Sequence, residues 1–164
     1  MIMLKHILVA TDFSEPAASA LEYGRDLARQ YGATLHVLFV DDDLTTPYAL
    51  DMTPIFTADV LRDLRIEAQK RLDALVTEED RRQLHATASV RTSRSPAFEI
   101  VDYAKTHAID LIILGTEGRS GVPRLLLGSV AERVVRTAPC AVLTVRHPER
   151  DFLMPDAMTT ATKA

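Results

Sequence analysis

The sequence predicts a single-domain α/β fold, with a five-stranded parallel sheet and helices packed on both of its faces. Short apolar runs alternate with amphipathic segments along the chain, and this β-α alternation is typical of a parallel sheet. Two of the runs, HILVA at 6–10 and DLIILG at 110–115, are almost wholly apolar, as expected of strands that helices cover on both sides. A chain of 164 residues without an internal repeat is long enough to bury one core.

The first strand, predicted over His6–Ala10, is followed by a helix with a capping residue at each end. Ser14 is a suitable N-cap, Pro16 is tolerated in the first turn, and Gly32 lies where a C-terminal cap belongs. Between these caps, five residues recur at helical spacing: Ala17, Leu21, Gly24, Ala28 and Tyr31.

A second strand is predicted over Thr34–Val40. The acidic run Asp41–Asp43 follows and leads into a polar stretch with Pro47 and Pro54, which predicts an exposed loop. Solvation of the three carboxylates is favoured over cation binding, because no liganding pattern surrounds them. A helix resumes at about Asp59, with a predicted core-facing stripe made of Leu61, Leu64, Ala68, Leu72 and Leu75.

The third strand is predicted at an edge of the sheet, because small apolar and polar residues alternate over Ala86–Arg91. The helix after it is expected to begin with Ser95 as its N-cap and Pro96 at its first helical position.

The last third of the chain combines two strands, a glycine-rich loop and a helix. DLIILG is the fourth strand, and four of the six glycines of the chain lie within 115–134. Ser129 with Glu132 three residues later predicts a capping box at the start of a helix, and Pro139 ends that helix. CAVLTVR, Cys140–Arg146, is the fifth strand. Residues 147–164 show no periodicity and are expected to form a mobile tail, which leaves 1–146 as the domain.

Composition narrows the classes of partner. The 19 Lys and Arg against 23 Asp and Glu give a net charge of −4, so no nucleic-acid partner is expected. The single cysteine, Cys140, excludes an intrachain disulfide and is expected to be a small buried hydrophobe. No apolar run approaches the roughly 20 residues that cross a bilayer, and no signal peptide is recognised. A cytoplasmic protein without membrane insertion is expected.

No metal site is predicted from the histidines. They are far apart in the sequence, and none lies beside another His or Cys at metal-ligand spacing. The two in predicted strands are expected to be structural. The five are His6, His36, His85, His107 and His147.

The glycine loop lies where an open parallel sheet binds ligands, beyond the carboxyl end of a strand. Without Cβ atoms, backbone N–H groups can approach an anion closely, and the following helix adds unpaired N–H groups and the positive end of its dipole. A phosphate suits such a place. A Walker A loop and a dinucleotide fingerprint are both absent, since no Gly-Lys-Ser/Thr occurs and the turn ATDFSEPA has no glycine. From these residues alone, a purely structural loop remains the alternative.

The spacing of the loop resembles that of the ATP-binding universal stress proteins. Gly115, two residues, Gly118, nine residues and then Gly128-Ser129 is similar to the nucleotide loop of that family. HILVATDFSEPAASAL resembles the opening of the family and APCAVLTVR its closing strand, so the resemblance covers roughly Met3 to Arg146.

The resemblance implies bound ATP and a Rossmann-like sheet of order 3-2-1-4-5, as in the adenine nucleotide alpha hydrolases. It implies that Asp12 and its neighbours line the adenosine side and that the Val40 backbone meets adenine. It also implies ribose near Gly115 and Thr116, and phosphates around Gly118 and the start of the following helix. The implied site residues are Ala10, Thr11, Asp12, Val40, Leu114, Gly115, Thr116, Gly118, Arg119, Gly128, Ser129 and Val130.

Two acidic residues leave alternatives open. Glu117 departs from the family pattern, in which a neutral or basic residue is common there. A carboxylate beside a triphosphate repels it unless it points away or holds a cation, which makes Mg²⁺ a candidate companion of ATP. Arg119 is placed to offset the charge. For Asp12 the structural alternative is a turn or capping carboxylate.

Three functions follow. The resemblance implies a regulatory ATP-binding protein of the stress response, with no client protein identifiable from the sequence. A slow ATPase or phosphotransferase using the same pocket is the second, and a nucleotide-free interaction module is the third. The complete glycine pattern weighs against the third. With no general base or P-loop lysine to assign, no catalytic residue is predicted and at most a weak ATPase is expected.

The fifth strand predicts a homodimer. In the order that the resemblance implies, Cys140–Arg146 is an edge of the sheet, with no proline and no charge before Arg146. Antiparallel pairing about a two-fold axis would bury Val142, Leu143 and Val145, and members of the family commonly dimerise there. The alternative is that the tail folds back over this edge.

Overall fold

A single parallel sheet forms the centre of the molecule. The computed structural model describes residues 2–41, 58–116 and 127–146. The strands are β1 (His6–Thr11), β2 (Thr34–Asp41), β3 (Thr87–Thr92), β4 (Leu111–Gly115) and β5 (Ala141–Val145). They lie in the order β3-β2-β1-β4-β5, which confirms the predicted fold class. The chain first builds the sheet outward from β1 to β3 and then returns to the other side of β1, so the topology reverses between β1 and β4.

Helices cover both faces of this sheet and enclose two clusters of buried side chains. The helices are α1 (Glu15–Tyr31), α2 (Ala58–Leu75), α3 (Glu78–Gln83), α4 (Pro96–Thr106) and α5 (Ser129–Thr137). On one face, Ala20 and Leu21 of α1 and Leu72 of α2 pack against the sheet. On the other face the contacts come from α4 and α5, for example through Ile100 and Val134.

The first helix begins and ends as its sequence predicts. The Ser14 hydroxyl accepts a hydrogen bond from the Ala17 N–H, and Gly32 closes the helix in the left-handed conformation at φ 65°. Four of its five predicted core residues are buried, whereas Tyr31 is 41% exposed. Gly24 brings α1 close to the sheet, because a Cβ there would lie 2.4 Å from Val9 Cγ2.

The predicted capping box at Ser129 is wrong. Ser129 is the first helical residue of α5, Gly128 occupies the N-cap position, and no side chain caps the helix. The reason is that Gly128 N–H donates to the Thr116 carbonyl at 2.7 Å, which holds Gly128 outside the helix while its own carbonyl accepts from Glu132 N–H. The Glu132 carboxylate pairs instead with Arg136, at 2.9 Å.

Ser95 takes its predicted place but not its predicted role. It precedes Pro96, which is the first residue of α4, yet its side chain makes no capping hydrogen bond. The Ser93 hydroxyl accepts from the Ser95 N–H at 3.1 Å, so a local turn organises this helix start.

Residues 58–86, between β2 and β3, differ most from their prediction, whereas the loop predicted over 42–57 lies outside the described residues. Leu72 of the predicted stripe is fully buried, but Leu64 is 44% exposed, so α2 is buried chiefly through its C-terminal half. The short helix α3 was not predicted. Its capping box joins Thr77 and Asp80, and the Thr-x-x-Asp spacing was the signal that could have found it.

The fifth strand lies at an edge of the sheet, and among the described residues it pairs with β4 alone. Val145 was predicted to be covered by a second subunit. It is already buried in the core of its own chain, with only 5% of its surface exposed. Val142 and Leu143 are half-buried. Cys140 is half-buried just before the strand, and burial raises the pKa of its thiol, to which the Asp110 carboxylate adds.

Three of the histidines, far apart in the sequence, meet at the amino ends of the strands. His6 Nδ1 lies 3.3 Å from His36 Nε2, and His36 Nδ1 lies 3.2 Å from the Tyr103 hydroxyl. His107 stacks on Tyr103 with ring centroids 3.8 Å apart. Within residues 2–41, 58–116 and 127–146, no group of three or more His, Cys, Asp or Glu is arranged to hold a metal ion. No helix in the same ranges is long and apolar enough to cross a bilayer.

Candidate functional site

A cavity of about 340 Å³ opens at the carboxyl ends of β1, β2 and β4, where the strand order reverses. The start of α4 and the start of α5 close its other sides. This is the position at which open parallel sheets bind ligands, because the loops diverge there and leave a crevice. The volume lies within the usual range for small-molecule sites.

Ten of the twelve predicted site residues line this one cavity, although they come from four separate parts of the chain. They are Ala10, Thr11, Asp12, Val40, Leu114, Gly115, Thr116, Gly128, Ser129 and Val130. The other two, Gly118 and Arg119, lie outside the described residues, as do Glu117, Arg124 and the predicted tail 147–164. The fold therefore brings together the ten described residues of the predicted set, while ligand binding by them stays a prediction.

Several lining residues were not predicted. Phe39 and Asp41 flank Val40 at the end of β2, while Pro96 and Ile100 come from the first turns of α4. Asp41 was expected in a solvated loop, but it is the last residue of β2 and faces this cavity. Its place directly after the Val40 position was a usable signal. The contribution of α4 required the three-dimensional arrangement. The remaining lining residues missed are Ala17, Leu38 and Ala131.

The turn between β1 and α1 supplies the acidic wall of the cavity. One oxygen of the Asp12 carboxylate, Oδ1, accepts hydrogen bonds from both the N–H, at 3.0 Å, and the hydroxyl of Ser14. The Thr11 hydroxyl accepts from the Phe13 N–H at 3.1 Å. Asp12 thus has the turn role that was its structural alternative, and it has it while lining the cavity.

Gly115 and Thr116 form the floor between β4 and α5. A Cβ at Gly115 would lie 2.8 Å from Pro16 Cβ and 3.1 Å from Ala17 N, so close packing against α1 requires glycine there. Thr116 N–H donates to the Val145 carbonyl at 2.8 Å. Its hydroxyl is buried and finds no hydrogen-bond partner among the residues described, which marks a polar group available to a ligand.

The amino end of α5 gives the cavity its electropositive side. The first intrahelical hydrogen bond runs from Glu132 N–H to the Gly128 carbonyl. The N–H groups of Ser129, Val130 and Ala131 therefore have no partner within the helix, and all three residues line the cavity. On the side of β2 and α4 the wall is chiefly apolar, formed by Leu38, Val40 and Ile100 among others, with Asp41 beside them. The cavity can thus hold an anion at one end and a flat apolar group at the other.

Comparison with known proteins identifies the family of the chain. Residues 3–146 match the model of the universal stress protein family. The chain belongs to the universal stress protein family.

The similar proteins and solved structures match this chain over most of their own length. Universal stress protein MJ0531 of Methanocaldococcus jannaschii is 31% identical over 152 residues, which covers 91% of this chain and 86% of that protein. The solved structure of hypothetical protein MJ0577 superposes with a TM-score of 0.76 at 27% identity, covering 89% and 98% of the two chains. The universal stress protein from Archaeoglobus fulgidus in complex with dAMP shares the fold, with a TM-score of 0.58, 24% identity and coverage of 88% and 99%.

Proposed function

We propose that this universal stress protein binds an adenine nucleotide, preferentially ATP, in the cavity between β1, β2, β4 and α5, and that it acts as a regulator in stress responses. The observation that carries the proposal is the junction of an apolar slot with a helix amino terminus in one cavity. A nucleotide presents the matching pair of groups, a flat base and an anionic phosphate chain.

The phosphate end is supported by the backbone of α5. The N–H groups of Ser129 and Val130, which have no partner within the helix, favour an anion together with the positive end of the helix dipole. Gly128 has φ −55°, which any residue can adopt. The backbone conformation therefore does not require glycine at this position. The absence of a side chain leaves room in the cavity, where a phosphate would approach.

The adenine end is supported by the register of the sheet. The Asp41 carbonyl accepts from Ser93 N–H on the β3 side, so alternation along the strand turns the Val40 carbonyl to the β1 side. There β1 ends at Thr11, opposite Phe39. A carbonyl at this place accepts from the 6-amino group of adenine, whereas guanine presents an oxygen there, which repels it.

The A. fulgidus relative bound to dAMP has the same fold. At 24% identity that likeness establishes the fold alone, so the ligand proposed here rests on the cavity. A Mg²⁺ ion accompanying ATP would be held by phosphate oxygens together with one or two carboxylates. Among the described lining residues the carboxylates are Asp12 and Asp41.

Catalysis is not part of the proposal. Among the described lining residues there is no Lys or Arg, so no cation is assigned to a phosphoryl-transfer step. A homodimer formed through β5 and a cytoplasmic location complete the proposal, both carried over from the sequence.

The test is calorimetric titration of nucleotide-free protein with ATP, ADP and GTP, with and without Mg²⁺. We expect micromolar or weaker affinity for ATP and a loss of about tenfold or more for GTP, equal to about 1.4 kcal/mol. Equal affinity for GTP would contradict the adenine assignment, and no heat with any nucleotide would overturn the proposed function.

A further inference from the structure

We propose that Phe13 is a positioning residue for this site: clamped between Phe39 and Arg71, it holds the Asp12 turn in place, and α2 thereby sets the affinity of the cavity for its ligand. This inference rests on the proposed function for its ligand. It concerns two residues, Phe13 and Arg71, that do not line the cavity themselves.

The backbone at Phe13 is in a conformation that needs support. Its φ is 66°, in the left-handed region, which an aromatic L-residue rarely adopts. The two residues before it, Thr11 and Asp12, line the cavity. Such a conformation persists where the surroundings over-determine it, and it would relax if those contacts were lost. Relaxation would redirect the adjacent Asp12 carboxylate.

The Phe13 side chain supplies this support through two contacts. Its ring lies 4.7 Å from the Phe39 ring, centroid to centroid, at an angle of 49°. The Arg71 guanidinium carbon lies 4.2 Å from the centroid of the Phe13 ring, within the range of a cation–π contact. Phe39 also lines the cavity, so the clamp joins α2 to the site through two neighbouring side chains.

Substitution of Arg71 distinguishes a positioning role from a general effect on the stability of the protein. It is exposed on α2, so its replacement leaves no cavity in the core. Lys70, the next residue toward the amino terminus, is equally exposed and carries the same charge. Because successive residues point about 100° apart around a helix, the Lys70 side chain projects in a different direction. Lys70→Gln is therefore a matched control for the loss of one positive charge near an anionic ligand.

The experiment compares Arg71→Gln, Arg71→Lys and Lys70→Gln with the wild type in two measurements. Calorimetry gives the dissociation constant for ATP, and amide exchange followed by NMR gives the opening of the turn at Phe13 and Ser14 in the ligand-free protein. We expect Arg71→Gln to weaken ATP binding about fivefold and to speed exchange at both amides. Arg71→Lys, which retains a cation, should restore both values to within about twofold of the wild type, and Lys70→Gln should change neither.

Phe13 itself gives a second comparison. Phe13→Tyr keeps the ring and should behave as the wild type. Phe13→Gly permits the left-handed backbone but removes the clamp, and should weaken ATP binding at least as much as Arg71→Gln.

The outcomes separate the two proposals. If the wild type binds ATP and Arg71→Gln binds equally well, or Arg71→Gln and Lys70→Gln lose affinity alike, the positioning role is refuted and the proposed function stands. If the wild type binds no adenine nucleotide, the proposed function fails, and the exchange rates alone decide whether Arg71 holds the turn. Unchanged exchange in Arg71→Gln would then overturn the inference as well.

Discussion

Arg25 of α1 and Asp80 of α3 form a buried ion pair across 55 positions of sequence. Arg25 Nε and Nη2 lie 3.1 Å and 2.9 Å from Asp80 Oδ2, and Asp80 is only 2% exposed. Arg25 Nη2 also donates to the carbonyl of Leu75, the last residue of α2, at 2.7 Å. Asp80 in turn accepts from the Thr77 N–H at 3.0 Å. One guanidinium thus connects three helices.

The first prediction concerns this pair. Asp80→Asn should lower the free energy of unfolding by about 3 kcal/mol, because it removes the buried carboxylate that faces the Arg25 guanidinium and leaves that largely buried charge with the exposed Glu22 carboxylate alone. Asp26→Asn is the control: Asp26 pairs with Arg29 at the surface, its side chain 80% exposed, and its loss should cost less than about 0.5 kcal/mol. Urea denaturation at pH 7 measures both. Similar losses for the two variants would show that the buried pair is not specially stabilising.

The second prediction is a loss of stability in mild acid caused by His36. Burial lowers the pKa of His36 to about 4 from its usual 6.5, and charge on His6 and His107 adds to the effect. The Tyr103 and Thr87 hydroxyls also face its ring. Between these two pH values the unfolded chain binds the proton and the folded chain does not. The stability contribution is therefore complete above pH 6.5 and falls as the pH drops toward 4.

Its measurement is urea denaturation at several pH values between 7 and 4.5. His36→Gln should flatten the decline by up to about 1.4 kcal/mol per pH unit, the value for one proton. His85→Asn is the control, since His85 is exposed and Asn tolerates its left-handed backbone at φ 48°. A decline as steep in His36→Gln as in the wild type would assign the acid sensitivity to other groups.

Local sequence predicted the fold because its signals act over a few residues. The caps at Ser14 and Gly32 and the apolar strands are read from neighbours in sequence, and the structure confirms them. At the start of α5, where the predicted capping box is wrong, a distant contact decided the outcome. The carbonyl of Thr116 holds Gly128 outside α5, and no pattern within the helix reveals that bond.

The same limit applies to the site. The family resemblance implied the ten predicted residues that line the cavity. Seven of them lie at strand ends, which a parallel sheet places together, and the other three lie at the start of α5. The contribution of Ile100 and the clamp of Arg71 on Phe13 depend on how α4 and α2 lie on the sheet. His6 and His36 meet because β1 and β2 pair, and His107 reaches His36 from the end of α4. Hydrophobic periodicity shows which side of a helix is buried but not which residues it meets.

The third prediction concerns the approach of α1 to the sheet. Gly24→Ala should destabilise the protein by about 1–3 kcal/mol, because the added Cβ meets the stiff, fully buried side chain of Val9 at 2.4 Å. This outweighs the gain in helix propensity, which is at most about 1 kcal/mol. Gly32→Ala has open space around it but φ 65°, so its cost of about 1–2 kcal/mol comes from the backbone alone. Thermal unfolding measures both, and a stabilised Gly24→Ala would mean that α1 shifts outward freely.

The fourth prediction separates space from capping at the start of α5. Gly128→Val should leave the fold intact, because φ −55° and ψ 149° suit any residue, yet weaken ATP binding by about tenfold or more as its methyl groups block the phosphate. Gly118→Val is expected to do the same from the loop outside the described residues.

Ser129→Ala is the control for helix stability. Its side chain caps nothing, so its free energy of unfolding should change by less than about 0.5 kcal/mol. A loss of about 1 kcal/mol, as for a true N-cap, would contradict the geometry.

The last prediction is a homodimer paired through β5. The Val145 carbonyl accepts from Thr116 N–H, so alternation turns the backbone groups of Thr144 away from β4 and toward the edge. Thr144→Pro removes the N–H that a second subunit would need, at a position where an edge strand tolerates proline. Thr144→Val keeps that N–H and the branched shape, and is the matched control. Lysine at Val145 would be a poor test, because that side chain is buried in its own core.

Light scattering should find dimers for the wild type and Thr144→Val, and monomers for Thr144→Pro. Circular dichroism verifies that Thr144→Pro retains its fold. A dimeric Thr144→Pro would place the interface on another surface, and a wild type that is monomeric at high micromolar concentration would rule out the dimer.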